Sequence, residues 1–302
     1  MDNLPIGMKL RQLEYFLALA EDPHFTRAAE SLFVTQPTLS HQLAQLEERV
    51  GTPLLHRVGK KVQLTEAGEI FRAYASRAIH ELKAGQDALR ELEGLERGDL
   101  RIGIIQSFCF TLLPSILEQF FANYPSIKVR IESLTATAIE EGLAAATLDL
   151  GIAFTPVTLE DIDAEPILDE RLLLVGARSH PLLKRRSCAM ASLHGQRIAL
   201  LNQTFSTRRL IDQNLAAAGA VPEVVCETNA IEALRAVVLS GKVLTILPER
   251  AFTADASLVG VALRDPSPVR TSALLWNRHM FRSAAARTFA GMVRERFSTT
   301  SA

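Results

Sequence analysis

The sequence predicts an α/β chain of more than one domain: a compact helical N-terminal third, a long connecting helix, and a C-terminal two thirds in which strands and helices alternate. Three observations predict this. Apolar residues recur at three- and four-residue steps as far as about residue 93. Short apolar strands alternate with helical stretches after residue 98. At 302 residues with 48% hydrophobic side chains, the chain can fill two or three cores.

Leu10, Leu13, Phe16, Leu17 and Ala20 fall on one helical face, and Pro23 closes that helix. Thr26 stands where it can cap a short second helix whose inward positions are Ala28, Ala29 and Leu32, small enough to admit a neighbouring helix. Thr35 is placed to cap a third, with Pro37 tolerated in its first turn, a buried stripe of Leu39, Leu43, Leu46 and Val50, and Gly51 as its stop. Two helices joined by such a tight turn make a helix-turn-helix unit, whose second helix offers its N-terminal polar face to the major groove. That face carries Gln36, Thr38, Ser40, His41, Gln42 and Gln45. Glutamine pairs bidentately with adenine, and Ser or Thr contacts bases or phosphates, though a polar face can equally be a solvated one. Leu54 to Leu64 then reads as two short strands around a basic turn containing Gly59, Lys60 and Lys61, a wing able to touch phosphates.

Thr65 caps a helix running to about Glu93, in which Phe71, Ala75, Ala78, Leu82, Gly85, Leu89 and Leu92 alternate steps of four and three. This pattern predicts a dimerisation seam or a stripe packed on the chain's own body. Arg97-Gly98-Asp99 marks the hinge. Beyond it come strands at Leu100 to Ile105, Val129 to Leu134, Leu150 to Phe154, Leu172 to Gly176, Ile198 to Leu201, Val224 to Glu227 and Leu244 to Leu247, with helices between, implying parallel sheets covered on both faces. Such sheets bind ligands between a strand's carboxyl end and the next helix, and four polar clusters lie there: Gln106 and Ser107, Thr135 and Thr137, Asn202 and Thr204, and Thr228 and Asn229. Helix starts of this kind favour an anion or carboxylate. Thr137 with Glu140 and Asn229 with Glu232 also fit a capping box.

A net charge of −1 excludes a protein that coats nucleic acid by charge alone, and residues 9–64 hold only seven Lys or Arg against six acids. No stretch reads as a membrane span or signal peptide, which places the chain in the cytoplasm. Cys109, Cys188 and Cys226 lack paired spacing, so neither disulfide nor metal site is expected, and no cofactor is implied. Ser107 and Cys109 have no His or acid at a motif position beside them, so the chain does not read as an enzyme.

Taken in order, Phe16, Phe25-Thr26-Arg27-Ala28-Ala29-Glu30-Ser31-Leu32, Thr35-Gln36-Pro37-Thr38-Leu39-Ser40, Leu46-Glu47, Gly51, Pro53-Leu54-Leu55, Arg57, Val62, Leu64-Thr65 and Ala67-Gly68 resemble the signature of LysR-type transcription regulators. Leu55 replaces the Phe that most members carry. The resemblance implies a winged helix-turn-helix over 8–65, a linker and dimerisation helix over 66–97, and a two-lobed, periplasmic-binding-protein-like effector domain over 98–302. Its first lobe spans about 98–163 and 268–302, its second about 164–267. It implies DNA contacts by Thr26, Arg27, Thr35, Gln36, Pro37, Thr38, Ser40, His41, Gln45, Arg57 and Lys60. It also implies a homodimer or homotetramer on an interrupted palindrome of double-stranded DNA, RNA polymerase as a partner, and an effector between the lobes. Gly151 to Val157, Phe205 to Arg208 and Tyr74 to Ala78 look most like the branch that regulates cyanate detoxification, and cyanate is a small anion. Two rivals remain: a solute-binding protein, which the C-terminal pattern alone would fit, and a redox sensor acting through Cys109 and Cys226.

Overall fold

The computed structural model of the chain describes residues 7–58, 61–92, 98–251 and 257–298. The N-terminal unit is α1 (Leu10–Glu21), α2 (Phe25–Ser31), α3 (Gln36–Val50), the hairpin β1 (Leu55–Val58) with β2 (Lys61–Leu64), and the 27-residue α4 (Glu66–Leu92). Phe16, Leu19, Leu39, Leu43, Leu46 and Leu54 are buried in one core, each contributing on the order of 2 kcal/mol of apolar burial. Thr35 caps α3, accepting from Thr38 N at 3.4 Å, and Gly51 ends it at φ +80°, a conformation glycine adopts without strain. Thr65 caps α4 through Gly68 N at 2.9 Å. At Gly68 a Cβ would lie 2.1 Å from the Leu54 carbonyl oxygen, so α4 and the strand approach as closely as they do only over a glycine. Glu47 fixes the start of the hairpin, its Oε1 accepting from Leu54 N at 2.8 Å and Leu55 N at 2.9 Å.

Two expectations change here. Thr26 lies inside α2, whose N-cap is His24. The stripe on α4 divides: Phe71 and Ala75 pack into the N-terminal core, Phe71 edge-on to Phe16 at 5.4 Å between ring centres. What faces outward is a neighbouring row of Ile70, Tyr74, Ala78, Leu82, Gly85 and Leu89. Leu92 carries no described side chain.

The C-terminal unit runs β3 (Gly98–Ile104), α5 (Gln106–Thr111), α6 (Leu113–Asn123), β4 (Ile127–Ser133), α7 (Ala136–Ala144), β5 (Leu150–Thr155) and β6 (Ile162–Ala177). It continues with β7 (Ser187–Ala189), β8 (Arg197–Leu201), α8 (Ser206–Ala217), β9 (Glu223–Thr228), α9 (Ile231–Val238), β10 (Leu244–Pro248), β11 (Leu258–Arg264), β12 (Val269–Asn277) and α10 (Ala284–Ser298). The strand order is β4-β3-β5-β12-β6-β10-β8-β9, with β11 also paired to β6 and β7 paired to β11. Pairing is parallel among β3, β4 and β5, and again among β10, β8 and β9. It is antiparallel where β12 meets β5 and β6 and where β10 and β11 meet β6, so the sheets are mixed and not wholly parallel.

The reason is the crossing. β6 leaves the first sheet and β12 returns to it, so the two run in opposite directions. Residues Ile162 to Arg171 of β6 pair with β12, and from Leu172 onward the same strand pairs with β10 and β11. Pairing therefore changes at Arg171 and Leu172, later than the 163/164 division suggested by the sequence. Separate cores lie on either side: Phe108, Phe120, Ile152 and Phe289 belong to one, Leu174, Ile198, Ile211 and Ile246 to another.

Candidate DNA interface and effector cleft

Thr35, Gln36, Pro37, Thr38 and His41 are exposed around the start of α3, while Ser40 and Gln45 are half-buried. Thr35 is already engaged as a cap, its hydroxyl 2.8 Å from that of Thr38. Gln45 is shared: Gln12 Nε2 donates toward its Oε1 at 3.5 Å, and its own Nε2 lies 3.0 Å from His41 Nε2. Arg27 is exposed but paired, donating from Nε and Nη2 to Asp22 at 2.6 and 2.5 Å. That pairing lowers the Asp22 carboxyl to about 2 and raises the Arg27 guanidinium. Thr26 is exposed beside it. Arg57 lies on β1 opposite Val62, whose N–H donates to Pro23 O at 3.0 Å and ties the wing to the loop before α2. Lys60 lies outside the described residues.

The cleft opens beside the start of β12, near where β6 changes partners. Its walls come from α5 (Gln106, Ser107), the start of α7 (Thr135, Ala136), β5 (Phe154), the start of α8 (Phe205, Ser206, Thr207) and β12 (Arg270), around a volume of about 30 Å³. That holds about two water-sized groups. Arg270 dominates it. The guanidinium is 5% exposed, lies 3.8 Å from the centre of the Phe154 ring, and donates from Nε and Nη2 to Glu170 Oε2 at 2.9 and 2.6 Å. Nη1 donates to Thr207 Oγ1 at 2.8 Å and Nη2 to Ser107 Oγ at 3.3 Å. One side chain from a crossing strand thus touches both walls. Burial pulls its pKa down and Glu170 opposes that. Gln106 Oε1 is buried with no protein partner.

Of the clusters read from the sequence, Gln106, Ser107 and Thr135 line the cleft, and Thr137, Asn202, Thr204, Thr228 and Asn229 do not. Thr135, not Thr137, caps α7, and Glu140 turns away to accept from Thr158 and Leu159, so that capping box does not form. Asn202 accepts from Thr204 N at 3.2 Å and from its hydroxyl at 2.6 Å, closing a local turn. Ala230 caps α9, and Thr228 accepts from its N–H, so the Asn229–Glu232 box is also absent. The sequence reading missed Thr207 and Arg270. Thr207 sits in the second helical position, one turn beyond the polar cluster, and Arg270 lies on a returning strand far along the chain.

The model of the bacterial regulatory helix-turn-helix proteins of the lysR family matches residues 10–69, and that of the LysR substrate binding domain matches residues 93–298. The chain belongs to the LysR family of transcriptional regulators. It is a DNA-binding transcription regulator with an effector-binding domain, not an enzyme. The regulator is 31% identical to the hydrogen peroxide-inducible genes activator of Haemophilus influenzae over 89% of this chain and 90% of that one. It is likewise 31% identical to AlsR of Bacillus subtilis, over 81% and 82%. Full-length OxyR from Pseudomonas aeruginosa superposes with a TM-score of 0.80 at 26% identity, covering 95% of each chain.

None of the regulator's three cysteines lines the cleft. Cys188 is buried, and burial pushes its thiol up, away from the thiolate that redox chemistry needs. Cys109 and Cys226 are half-buried on α5 and β9. Among the described residues, no helix is long and apolar enough to cross a membrane. The linker is joined to the first lobe by a compact cluster: Arg101 grips Asp149 at 2.8 Å and lies 2.5 Å from His80 Nδ1 of α4.

Proposed function

We propose that the regulator reads two half-sites of an interrupted palindrome as a dimer or tetramer built on α4, and that a small effector between the lobes alters the spacing of its DNA-reading units. The outward row from Ile70 to Leu89 supports the first part, since water-exposed apolar residues at these helical steps suit a partner helix. Two recognition helices would add their energies over half-sites about one helical turn apart. Contact with RNA polymerase would turn the altered geometry into transcription.

The observation that carries the second part is Arg270. It spans the cleft with one hand on Ser107 and the other on Thr207, so a ligand competing for either hydroxyl changes what holds the lobes together. Glu170 cancels its charge, so attraction for an anion rests on the first N–H groups of α7 and α8, which lack intrahelical acceptors. The volume favours an effector of a few heavy atoms, which a cyanate-like anion or small carboxylate satisfies.

Thermal-shift titration of the full chain against cyanate, nitrate, bicarbonate, formate and acetate tests this. One of them should raise the melting temperature in the parent and lose that effect in Ser107→Ala and Thr207→Val. A ligand that stabilises parent and both variants equally would place the effector elsewhere, and no shift with any would remove the small-anion reading.

A further inference from the structure

Gln12 is completely buried on α1 among Tyr15, Phe16 and Leu19, an apolar setting in which a primary amide must find partners for its donors and its acceptor. The acceptor is met locally and by α3: Oε1 takes Lys9 N at 3.1 Å and, at 3.4 Å, Nη1 of Arg49. The donor goes to α3. Gln12 Nε2 donates to Gln42 Oε1 at 3.2 Å and reaches Gln45 Oε1 at 3.5 Å, and Gln45 Nε2 in turn lies 3.0 Å from the exposed His41. A line of side chains therefore runs from the interior of α1 to the exposed face of α3.

We infer that Gln12 is a positioning residue for base reading, setting which way round the amide of Gln45 faces. This rests on the reading that α3 enters the major groove. Bidentate recognition of adenine needs both an amide oxygen and an amide N–H pointed at the base. With its oxygen drawn inward by Gln12 and its Nε2 beside His41, Gln45 keeps only the second hydrogen of its NH₂ for the groove, and that donor favours base edges bearing acceptors, such as guanine O6 and N7 or thymine O4. A buried residue away from the recognition helix then sets part of the operator preference.

Selection of binding sites from a randomised duplex pool, with the full-length protein, tests it with two variants. Gln12→Met keeps the volume and drops the donor, so discrimination at one position per half-site should relax about tenfold while non-specific affinity stays unchanged. Gln12→Glu still accepts from Lys9 N and Arg49 but offers Gln45 an acceptor, so the Gln45 amide should turn over and the preference at that position should move toward adenine or cytosine. If Gln12→Glu does not fold, the Gln12→Met result decides. Adding Gln45→Ala to Gln12→Met should cost no more discrimination than Gln45→Ala alone.

Parent-like preference at every position in the folded variants overturns the inference, as does a uniform loss of affinity on all sequences. If Gln36→Ala and Gln45→Ala also leave the preference unchanged, the recognition-helix reading falls as well. If those two relax it and Gln12→Met does not, only the role of Gln12 falls.

Discussion

Arg270 and Glu170 form a buried ion pair in which one carboxylate oxygen, Oε2, accepts from both Nε and Nη2 of the guanidinium, with the two side chains 5% and 3% exposed. The partners stand opposite each other on β12 and β6, and β6 is the strand that runs on from the first sheet into the second. Removing one partner strands the other charge in an apolar setting, which costs roughly 3 kcal/mol or more, whereas replacing both by neutral groups costs much less. Arg270→Met should lower the urea midpoint strongly, and Arg270→Met with Glu170→Gln should recover most of the loss. Equal midpoints for the parent and Arg270→Met would mean that the pair does not hold the crossing.

The Asp22 carboxylate holds the Arg27 guanidinium, so a phosphate contact by Arg27 would need that ion pair to open first. Asp22→Asn should therefore tighten binding to operator and random duplex alike. The slope of log affinity against log salt should steepen by about one unit as a further phosphate contact forms freely. Fluorescence anisotropy at several salt concentrations checks both the direction and the uniformity.

His80, at the joint between α4 and the first lobe, has its pKa lowered chiefly by burial, against the pull of Asp149. The folded protein resists protonating it, while the unfolded chain takes the proton near pH 6.5. The stability this group contributes is present above that pH and is lost as pH falls through the lowered folded value. The parent should lose more melting temperature between about pH 7.5 and about pH 5.5 than His80→Asn does. Parallel curves for the two proteins would remove His80 from the pH response.

Leu82 and Leu89 are 54% and 65% exposed on the outward row of α4. Leu82→Glu with Leu89→Glu should leave the helical circular dichroism intact, shift sedimentation to the monomer, and shrink the protected DNA to a single half-site. An unchanged sedimentation coefficient would move the dimer interface to another surface.

Gln36→Ala and Ser40→Ala should lose discrimination between operator and mutated operator, whereas Arg57→Ala should weaken binding to every sequence and flatten the salt slope by about one unit. Footprints identical to the parent for all three would rule out the assignment of the groove-reading face.

Local chemistry made most of the N-terminal unit legible. Thr35, Pro37 and Gly51 bound α3 through interactions within a few residues of themselves, and the four- and three-residue steps of Leu39, Leu43 and Leu46 decide which side is buried. Thr65 likewise announced α4, and the run of strands and helices after Leu100 announced an α/β unit, because hydrophobic periodicity is a property of the chain itself. The first ten residues of β6 escaped notice because the alternation begun by Ile162, Asp163, Ala164 and Glu165 is interrupted by Pro166 and the doublets Ile167-Leu168 and Asp169-Glu170, and their partner β12 is distant in sequence.

What tertiary structure alone decided is how distant groups meet. Only packing against Phe16 turns Phe71 and Ala75 inward and leaves Tyr74, Leu82 and Leu89 facing out, since neighbouring stripes of one helix carry the same period. Only the pairing of β6 with β12 brings Arg270 and Glu170 to Ser107 and Thr207 from the two lobes. The turn of Gln45 toward Gln12 is of the same kind. Helix caps and apolar faces are settled by neighbours within a turn, so the sequence by itself determined them. A buried polar group is settled by whichever partner the fold delivers, and that partner has no fixed spacing in the chain.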